Sequence, residues 1–258
     1  DPTVWNRHAP ILFPYAGKLT GGHFLAEDGR VYEGGQHGFA RDLEHRLVSQ
    51  TANELTFELT SGEETYAYFP YDFALRSTYT LEGRRISHSV AVRNTGKGTL
   101  RFGFGYHPGF ALPFDDAHTA EDYDVVFDTI ESPLCLNTAP NGLVCASPDY
   151  YLARNVDRIP LSAKLFAHDS HCMVNLKSKT MSVVERDTGR RIVVDIADFP
   201  YTLIWSTPQE PMRFICIEPW HSIPSEDNGP IEWEKKPCAA SLAPDEMWQT
   251  TLNMTFER

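Results

Sequence analysis

Two segments of the sequence place a side chain that can transfer a proton beside residues that terminate strands. His107 lies in residues 105–110, GYHPGF, where an apolar stretch stops at a histidine followed by Pro and Gly. Glu218 lies in residues 212–220, where an apolar stretch leads to a carboxylate followed by Pro219. Imidazole titrates near neutral pH, and a carboxylate in an apolar strand costs free energy unless it is paired or reaches water. A histidine and a carboxylate together suit general acid–base catalysis.

A third segment, residues 36–42 with the sequence QHGFARD, combines an imidazole and a guanidinium around a glycine in a predicted loop. His37 and Arg41 are therefore candidates for binding a polar ligand. Each segment also has a structural interpretation. His107 could be a hydrogen-bonded residue at a strand end, Glu218 a capping or salt-bridging carboxylate, and His37 with Arg41 part of a surface loop.

Other catalytic chemistries lack their sequence signals. The chain contains neither GxSxG nor HExxH, and the glycines at 103 and 105 lack the third glycine and the strand–helix context of a dinucleotide loop. Glycoside hydrolysis normally needs two opposed carboxylates, and only Glu218 lies in a convincing site segment. The five cysteines are widely spaced without CxxC, which argues against a disulfide framework or a zinc site and favours a reducing cytoplasm. We predict no cofactor and no metal.

Composition restricts the partners. The 258 residues are 41% hydrophobic and 22% charged, as in ordinary soluble globular proteins, and the net charge is −12. Such an acidic chain is a poor partner for nucleic acid or an anionic membrane. The sequence has no apolar run long enough to span a bilayer. A small-molecule ligand, including an anionic one held by local Arg and Lys side chains, remains compatible with this charge.

Period-two alternation bounded by turn residues recurs along the chain, whereas helical periodicity is hard to find. Hairpin turns are predicted at Asp28-Gly29, Glu82-Gly83 and 187–189, where glycine accepts a positive φ. The pattern predicts one all-β domain, a large antiparallel β-sandwich over residues 1–258, with an irregular loop over 117–157. The predicted strands are 23–26, 30–32, 53–59, 73–81, 85–92, 99–106, 181–185, 191–195, 201–206, 212–218 and 248–256.

Five ordered segments together resemble a known family. They are PILFPYAG at 10–17, QHGFARD at 36–42, the strand pair around FALRSTYTLEG at 73–83, GYHPGF at 105–110 and CIEPWHSIPS at 216–225. They occur in the order found in the aldose 1-epimerase (galactose mutarotase-like) superfamily, and they resemble most the branch of LacX-type proteins and hexose-6-phosphate 1-epimerases. The resemblance implies a β-sandwich with a sugar in an open groove. Family members usually have additional strands before the segment that begins here at Asp1, so we expect this domain to lack some N-terminal strands.

The resemblance also implies residue roles. The catalytic acid of the family falls on His107 and its base on Glu218, while substrate-binding residues fall on His37 and Arg41. Lys18 stands where the family has an arginine, which keeps the charge but loses the planar two-pronged donor. A binding aspartate of some relatives corresponds to Asp169. Trp205 is expected either to wall the groove or to be a core aromatic.

The implied activity is the interconversion of α and β anomers of a hexose by ring opening, with Glu218 kept ionised by partial exposure and nearby cations. Free hexose and hexose 6-phosphate remain open as substrates, since Arg7, Lys18, Arg41 and Arg76 could form a phosphate pocket. Arg76 could equally face solvent from its strand. A non-catalytic carbohydrate-binding or sensing protein and a structural or interaction protein are the competing hypotheses. We expect a cytoplasmic monomer or homodimer.

Overall fold

Strands dominate the computed structural model, which describes residues 3–138 and 140–258. The helices in this part of the chain are short: α1 is Glu63–Tyr66, and 3-10 turns cover Thr20–Gly22, Ala120–Asp122, Ala163–Phe166 and Trp233–Lys235. The strands are β1 Ile11–Leu12, β2 His23–Leu25, β3 Val31–Glu33, β4 Arg46–Gln50, β5 Glu54–Thr60, β6 Phe73–Glu82, β7 Arg85–Asn94, β8 Leu100–Phe102, β9 Gly105–Tyr106, β10 Gly109–Ala111, β11 Tyr123–Glu131, β12 Leu134–Leu136, β13 Tyr150–Tyr151, β14 Val156–Pro160, β15 His171–Val174, β16 Thr180–Glu185, β17 Arg191–Asp195, β18 Tyr201–Trp205, β19 Phe214–Trp220, β20 Ala240–Leu242 and β21 Met247–Glu257.

The chain forms two compact units. The first contains residues 3–10, 106–220 and 254–258, and the second contains residues 11–105 and 221–253. In the first unit, β19 pairs with β10 on one side and with β18 on the other, and the sheet continues through β15 and β12 to β13, antiparallel throughout. Because side chains alternate along a strand, Cys216 and Glu218 of β19 share one face of this sheet. Ile215 and Ile217 point to the other face and are completely buried.

The second sheet of this unit has the order β14-β11-β16-β17, followed by the last residues of β21. Its strand β11 lies inside the segment 117–157, where the sequence predicts an irregular loop, so that prediction is wrong there. Asp124 and Asp128, which made the segment resemble a loop, are satisfied in the sheet. Asp124 accepts a hydrogen bond from Arg186 at 2.8 Å, and Asp128 accepts bonds from the backbone N–H groups of residues 179 and 180.

In the second unit, the antiparallel strands run in the order β7-β6-β5-β4, and the first part of β21 lies beside β7. A small hairpin joins β2 to β3, and β8 pairs with the distant strand β20 in a second two-stranded sheet. The core is strongly aromatic: the ring centroids of Phe13 and Phe73 are 4.9 Å apart and those of Phe24 and Trp233 are 4.6 Å apart. Tilted ring packing of this kind adds to the hydrophobic free energy of burial.

The predicted all-β, antiparallel fold class is confirmed, as are the three glycine-containing hairpin turns. The predicted strand 99–106 is interrupted, because Gly103 lies so close to Ser222 that a Cβ there would be 2.4 Å from the Ser222 hydroxyl. Residues 1, 2 and 139, which belong to the predicted single domain and the predicted loop, lie outside the described residues. The single-domain assignment stays a prediction. Within the described residues, no helix combines the length and apolar character needed to cross a bilayer.

Candidate active site

His107 lies between β9 and β10 in the first unit, and its imidazole faces the carboxylate of Glu218. The distance from His107 Nε2 to Glu218 Oε2 is 3.3 Å. Both side chains are almost fully buried, with 8% and 2% of their surface exposed. The two side chains proposed from the sequence for proton transfer are therefore in direct contact.

The surroundings of Glu218 differ from the sequence expectation. Glu218 is not the end of its strand, since β19 continues through Pro219 to Trp220 and pairs Glu218 with Leu203 of β18. The expected partial exposure is wrong. Burial raises the pKa of Glu218 well above the ordinary value of 4.5, and the negative charge of Asp169 raises it further. The carboxyl group therefore holds a proton to a higher pH than a surface glutamate.

Aromatic rings enclose His107. Trp5 stacks on the imidazole with ring centroids 5.1 Å apart and 27° between the planes, and Trp205 approaches edge-on at 5.8 Å. Trp5 also stacks on Phe214 at 5.5 Å and meets Trp205 at 5.9 Å. The sequence left Trp205 open between a groove wall and a core aromatic. In the structure Trp205 is half-buried and in contact with His107.

The space for Trp5 depends on Gly109, the first residue of β10. A Cβ at this position would lie 2.8 Å from Cζ3 of Trp5 and 3.3 Å from Sγ of Cys216. Gly109 is the register partner of Cys216 in the β10–β19 pair. The glycine after His107-Pro108 thus allows both Trp5 and Cys216 to pack beside the catalytic candidates.

Asp169 follows the 3-10 turn Ala163–Phe166 and has a left-handed backbone with φ of 88°. Such a φ is uncommon outside glycine, although Asp and Asn adopt it more readily than most residues. Its carboxylate acts electrostatically on Glu218. The first unit, which includes residues 106–220, contains all four of the predicted site residues described so far: His107, Asp169, Trp205 and Glu218.

His37 belongs to the second unit and is buried in a tight loop. Its backbone is left-handed, with φ of 69°, and the following Gly38 has φ of 66°. The backbone N–H of Gly17 donates a hydrogen bond to Nδ1 of His37 at 3.0 Å, and the His37 N–H donates to the Gly17 carbonyl at 2.8 Å. Since Nδ1 accepts a hydrogen bond, the neutral ring carries its proton on Nε2. Nε2 of His37 lies 3.1 Å from the side-chain nitrogen of Gln36; because two donors cannot bond to each other, the Gln36 amide must turn its oxygen to this position to accept the Nε2 proton.

The predicted cations have different environments. Arg41 donates to the Gln36 carbonyl at 2.8 Å and lies 3.6 Å from the Asp42 carboxylate, within the same loop as His37. Lys18 is half-buried, directly follows Gly17, and its carbonyl accepts a hydrogen bond from Ser225. Lys18 thus lies on one loop and His37 and Arg41 on another, and the two loops are joined by the hydrogen bonds between Gly17 and His37.

The two remaining arginines lie elsewhere. Arg76 forms an ion pair with Glu58 at 2.7 Å on an exposed part of β6, as the solvent-facing interpretation expects. Arg7 lines a cavity of about 910 Å³ in the first unit, together with Trp5, Phe214 and Arg213. Within neither unit do Arg7 and Arg76 join the other predicted cations in one phosphate pocket.

Two groups of side chains within the described residues have the spacing of metal ligands. One is His107, Cys216 and Glu218, and the other is Asp115, His118 and Glu185. Burial raises the pKa of the Cys216 thiol well above its ordinary value, and the negative charge of Glu218 adds to this effect.

Sequence reasoning did not find Trp5, Phe214, Gly109 or Cys216. Trp5 stands in a short polar segment with no periodicity, and Phe214 and Cys216 have the alternation of any buried strand. The signal that was available is the Pro-Gly pair after His107, which predicts a backbone position where another side chain approaches closely.

This chain is similar to known proteins over almost its whole length. The sequence profile of the family described as aldose 1-epimerase matches residues 1–254. The chromosomally encoded protein LacX of Lactococcus lactis subsp. lactis is 31% identical over 263 residues, covering 99% of this chain and 87% of LacX. A galactose mutarotase related enzyme from Lactobacillus acidophilus superposes with a TM-score of 0.92 at 29% identity, covering 100% of this chain and 85% of that one. A galactose mutarotase-like protein from Lactobacillus casei gives 0.87 at 26% identity, covering 100% and 87%.

Proposed function

Because this chain belongs to the aldose 1-epimerase family, we propose that it interconverts the α and β anomers of a hexose by acid–base ring opening at His107 and Glu218. The family assignment supports a carbohydrate epimerase, and the substrate and the mechanism are our proposal. The observation that carries it is the 3.3 Å contact between His107 Nε2 and Glu218 Oε2.

In the proposed mechanism, the Glu218 carboxylate takes the proton of the anomeric hydroxyl while His107 donates a proton to the ring oxygen. The ring carbon–oxygen bond breaks and an open-chain aldehyde forms. Rotation about the bond between the first two carbons exposes the other carbonyl face, and the same steps in reverse close the ring. No proton is gained or lost overall, and each general acid or base typically contributes about 10²–10⁴-fold.

The buried position of Glu218 suits the role of base. A carboxylate with a raised pKa is a stronger base once it is ionised. Enzymes use burial to raise the pKa of catalytic glutamates for this purpose. His107, in contact with Glu218, is the group that receives the carboxyl proton when the pair reaches its imidazolium–carboxylate state. In that state the His107 imidazolium can donate a proton and the Glu218 carboxylate can accept one.

The sugar-binding assignments are separate proposals. We propose that Trp205 offers an apolar wall beside His107, and that Asp169 accepts a hydrogen bond from a sugar hydroxyl. His37 is proposed to donate from Nε2, and Arg41 and Lys18 to contribute cationic donors. These roles predict changes in KM when the residues are replaced.

The experiment that tests the proposed function is magnetisation-exchange NMR on the two anomeric protons of an equilibrated hexose. We expect the chain to accelerate exchange between the α and β signals of glucose, and a parallel titration with glucose 6-phosphate establishes which form is preferred. Sugar binding without accelerated exchange would contradict the proposal and favour the non-catalytic carbohydrate-binding alternative. A heat-unfolded sample serves as the control for contaminating acid–base catalysis.

A further inference from the structure

Three side chains of different chemistry converge beside the catalytic candidates. One ring nitrogen of His107, Sγ of Cys216 and a carboxylate oxygen of Glu218 all lie within 4.8 Å of one another, and all three residues are buried. Imidazole, thiolate and carboxylate are the three ligand types that proteins use for Zn²⁺.

The sheet register produces this convergence. Cys216 and Glu218 are two residues apart on β19 and therefore point to the same face. Gly109 lies opposite Cys216 and has no side chain to fill the space over the sulfur. His107 precedes Gly109 by two residues and reaches Glu218 from the turn before β10.

The distances fit a tetrahedral ion. Two ligands at about 2.0–2.1 Å from Zn²⁺ lie about 3.3–3.4 Å apart when the geometry is tetrahedral, and the observed separation of Nε2 and Oε2 is 3.3 Å. A zinc–sulfur bond is about 2.3 Å, which sets the sulfur about 3.5 Å from each of the other ligand atoms. Because the three atoms lie within 4.8 Å of one another, these separations need to shorten by about 1.3 Å at most. Three protein ligands leave the fourth position for water.

The ligand chemistry also suits zinc. On binding, the Cys216 thiol and the His107–Glu218 pair each release one proton to solvent, and the sulfur, the ring nitrogen and a carboxylate oxygen each donate an electron pair to the metal. Zinc is borderline soft and accepts this mixed nitrogen, sulfur and oxygen set.

The second group with metal-ligand spacing shows the contrast. Asp115, His118 and Glu185 are already joined by Arg190, whose guanidinium donates to both carboxylates. His118 lies 2.6 Å from Asp115. The arginine supplies the positive charge that a metal would bring, so this group is a satisfied ion-pair network.

We propose that His107, Cys216 and Glu218 form a binding site for a single Zn²⁺ ion. Its occupation ties up the acid and the base together, so the ion inhibits anomer exchange. The inhibition rests on the proposed function, whereas the binding of the metal does not.

The test uses Cd²⁺ as the probe, because a cadmium–thiolate bond has a charge-transfer absorption in the ultraviolet. The full chain is titrated with Cd²⁺ alongside three variants, Cys216→Ser, Cys135→Ser and Cys238→Ser. Cys135 is equally buried but in the strand β12, and Cys238 is a partly exposed thiol. We expect the absorption to saturate at one ion per chain in the wild type and both controls, and to be lost in Cys216→Ser. Undiminished absorption in Cys216→Ser, or none in the wild type, would overturn the site.

Glu218→Gln keeps the test decisive if Cys216→Ser does not fold. Loss of one ligand should weaken Cd²⁺ binding at least about tenfold, and an unchanged affinity would overturn the proposal. Zn²⁺ added during NMR exchange should slow the wild type reversibly with EDTA, and should not slow Cys216→Ser relative to its own metal-free rate. Cadmium binding by a chain that shows no anomer exchange would leave the metal site standing and remove only the proposed function.

Discussion

The Nε2 atom of His107, in the turn between β9 and β10, lies 3.3 Å from Oε2 of Glu218 in β19. The contact exists because β10 and β19 are adjacent and antiparallel, with Gly109 opposite Cys216. It is buried beneath Trp5, whose indole stacks on the imidazole. The contact between the two side chains is therefore shielded from bulk water, and electrostatic interactions are stronger in such a buried place than in water.

Replacing Gly109 with alanine should displace Trp5 from His107. The new Cβ would lie 2.8 Å from the Trp5 ring, so we expect catalysed anomer exchange to fall about 10- to 100-fold. Reaction of His107 with diethyl pyrocarbonate, followed by peptide mass spectrometry, should become faster because the imidazole loses its cover. Gly98→Ala is the matched control, since nothing lies within 4 Å of a Cβ there. Equal labelling rates in the two variants would contradict the role of Gly109.

His37→Asn should separate sugar binding from loop stability. Asparagine tolerates the positive φ of 69°, and its side-chain oxygen can accept the Gly17 N–H bond in place of Nδ1. It lacks the Nε2 donor, so KM for the sugar should rise about tenfold, as expected for about 1.4 kcal/mol of lost binding. The free energy of unfolding should change by less than about 0.5 kcal/mol. His37→Ala should instead destabilise the chain by about 1–3 kcal/mol, because the buried Gly17 N–H loses its acceptor. An unchanged KM in His37→Asn would remove His37 from the proposed sugar contacts.

Gly38→Ala should be much more damaging than a comparable glycine replacement. A Cβ at Gly38 would lie 2.1 Å from the Phe13 carbonyl oxygen, whereas the space around Gly83 is open. Both glycines have positive φ, 66° and 61°, so the left-handed conformation costs each alanine variant about 1–2 kcal/mol. In Gly38→Ala, the collision with the Phe13 carbonyl should add about 1–3 kcal/mol to this loss of stability. Urea unfolding of both variants measures the difference, and equal losses would show that the close approach to Phe13 is unimportant.

Lys236 should make stability depend on pH. Its ammonium group is buried, bonded to the Ile223 carbonyl at 2.9 Å, and burial lowers its pKa from 10.5 to about 7. Between about pH 7 and 10.5 the unfolded chain binds more protons at this residue than the folded one, so stability rises with pH in this window and is lowest at pH 7 and below. The rise should approach about 1.4 kcal/mol per pH unit.

Urea unfolding at pH 7 and pH 9 tests this for Lys236→Met and for its neighbour Lys235→Met. Lys235 is an exposed residue paired with Glu232, so its variant should keep the wild-type pH dependence. In Lys236→Met, the free energy of unfolding should rise less between pH 7 and pH 9 than it does in the wild type, because the titrating ammonium group is gone. Identical pH dependence in wild type and Lys236→Met would contradict the assignment.

Local patterns predicted the strands that have clear alternation and glycine turns. The pair β6 and β7 follows directly from the β-branched residues on either side of Gly83, and its register extends from Phe73 to Asn94. Strand β11 was missed because Asp124 and Asp128 look like loop residues. Their partners come from residues 179–186, and such long-range pairing has no local sequence signal.

The site was predicted in part for the same reason. The types of His107 and Glu218, and their place beside Pro residues, were visible in the sequence. The burial of Glu218 was not, because it depends on β19 being covered by neighbouring strands and by Trp5. The charge near Glu218 is that of Asp169 and not a cation, which only the folded chain reveals.

Polarimetry of freshly dissolved α-glucose tests the central proposal most directly, with wild type, Glu218→Gln and His107→Gln compared at equal concentration after their folding has been checked by circular dichroism. Glutamine keeps the volume of the glutamate but cannot take a proton, so the rotation should decay at the uncatalysed rate with Glu218→Gln and close to that rate with His107→Gln. Wild type should accelerate the decay. If Glu218→Gln accelerates it as much as wild type does, the His107–Glu218 pair is not the site of proton transfer.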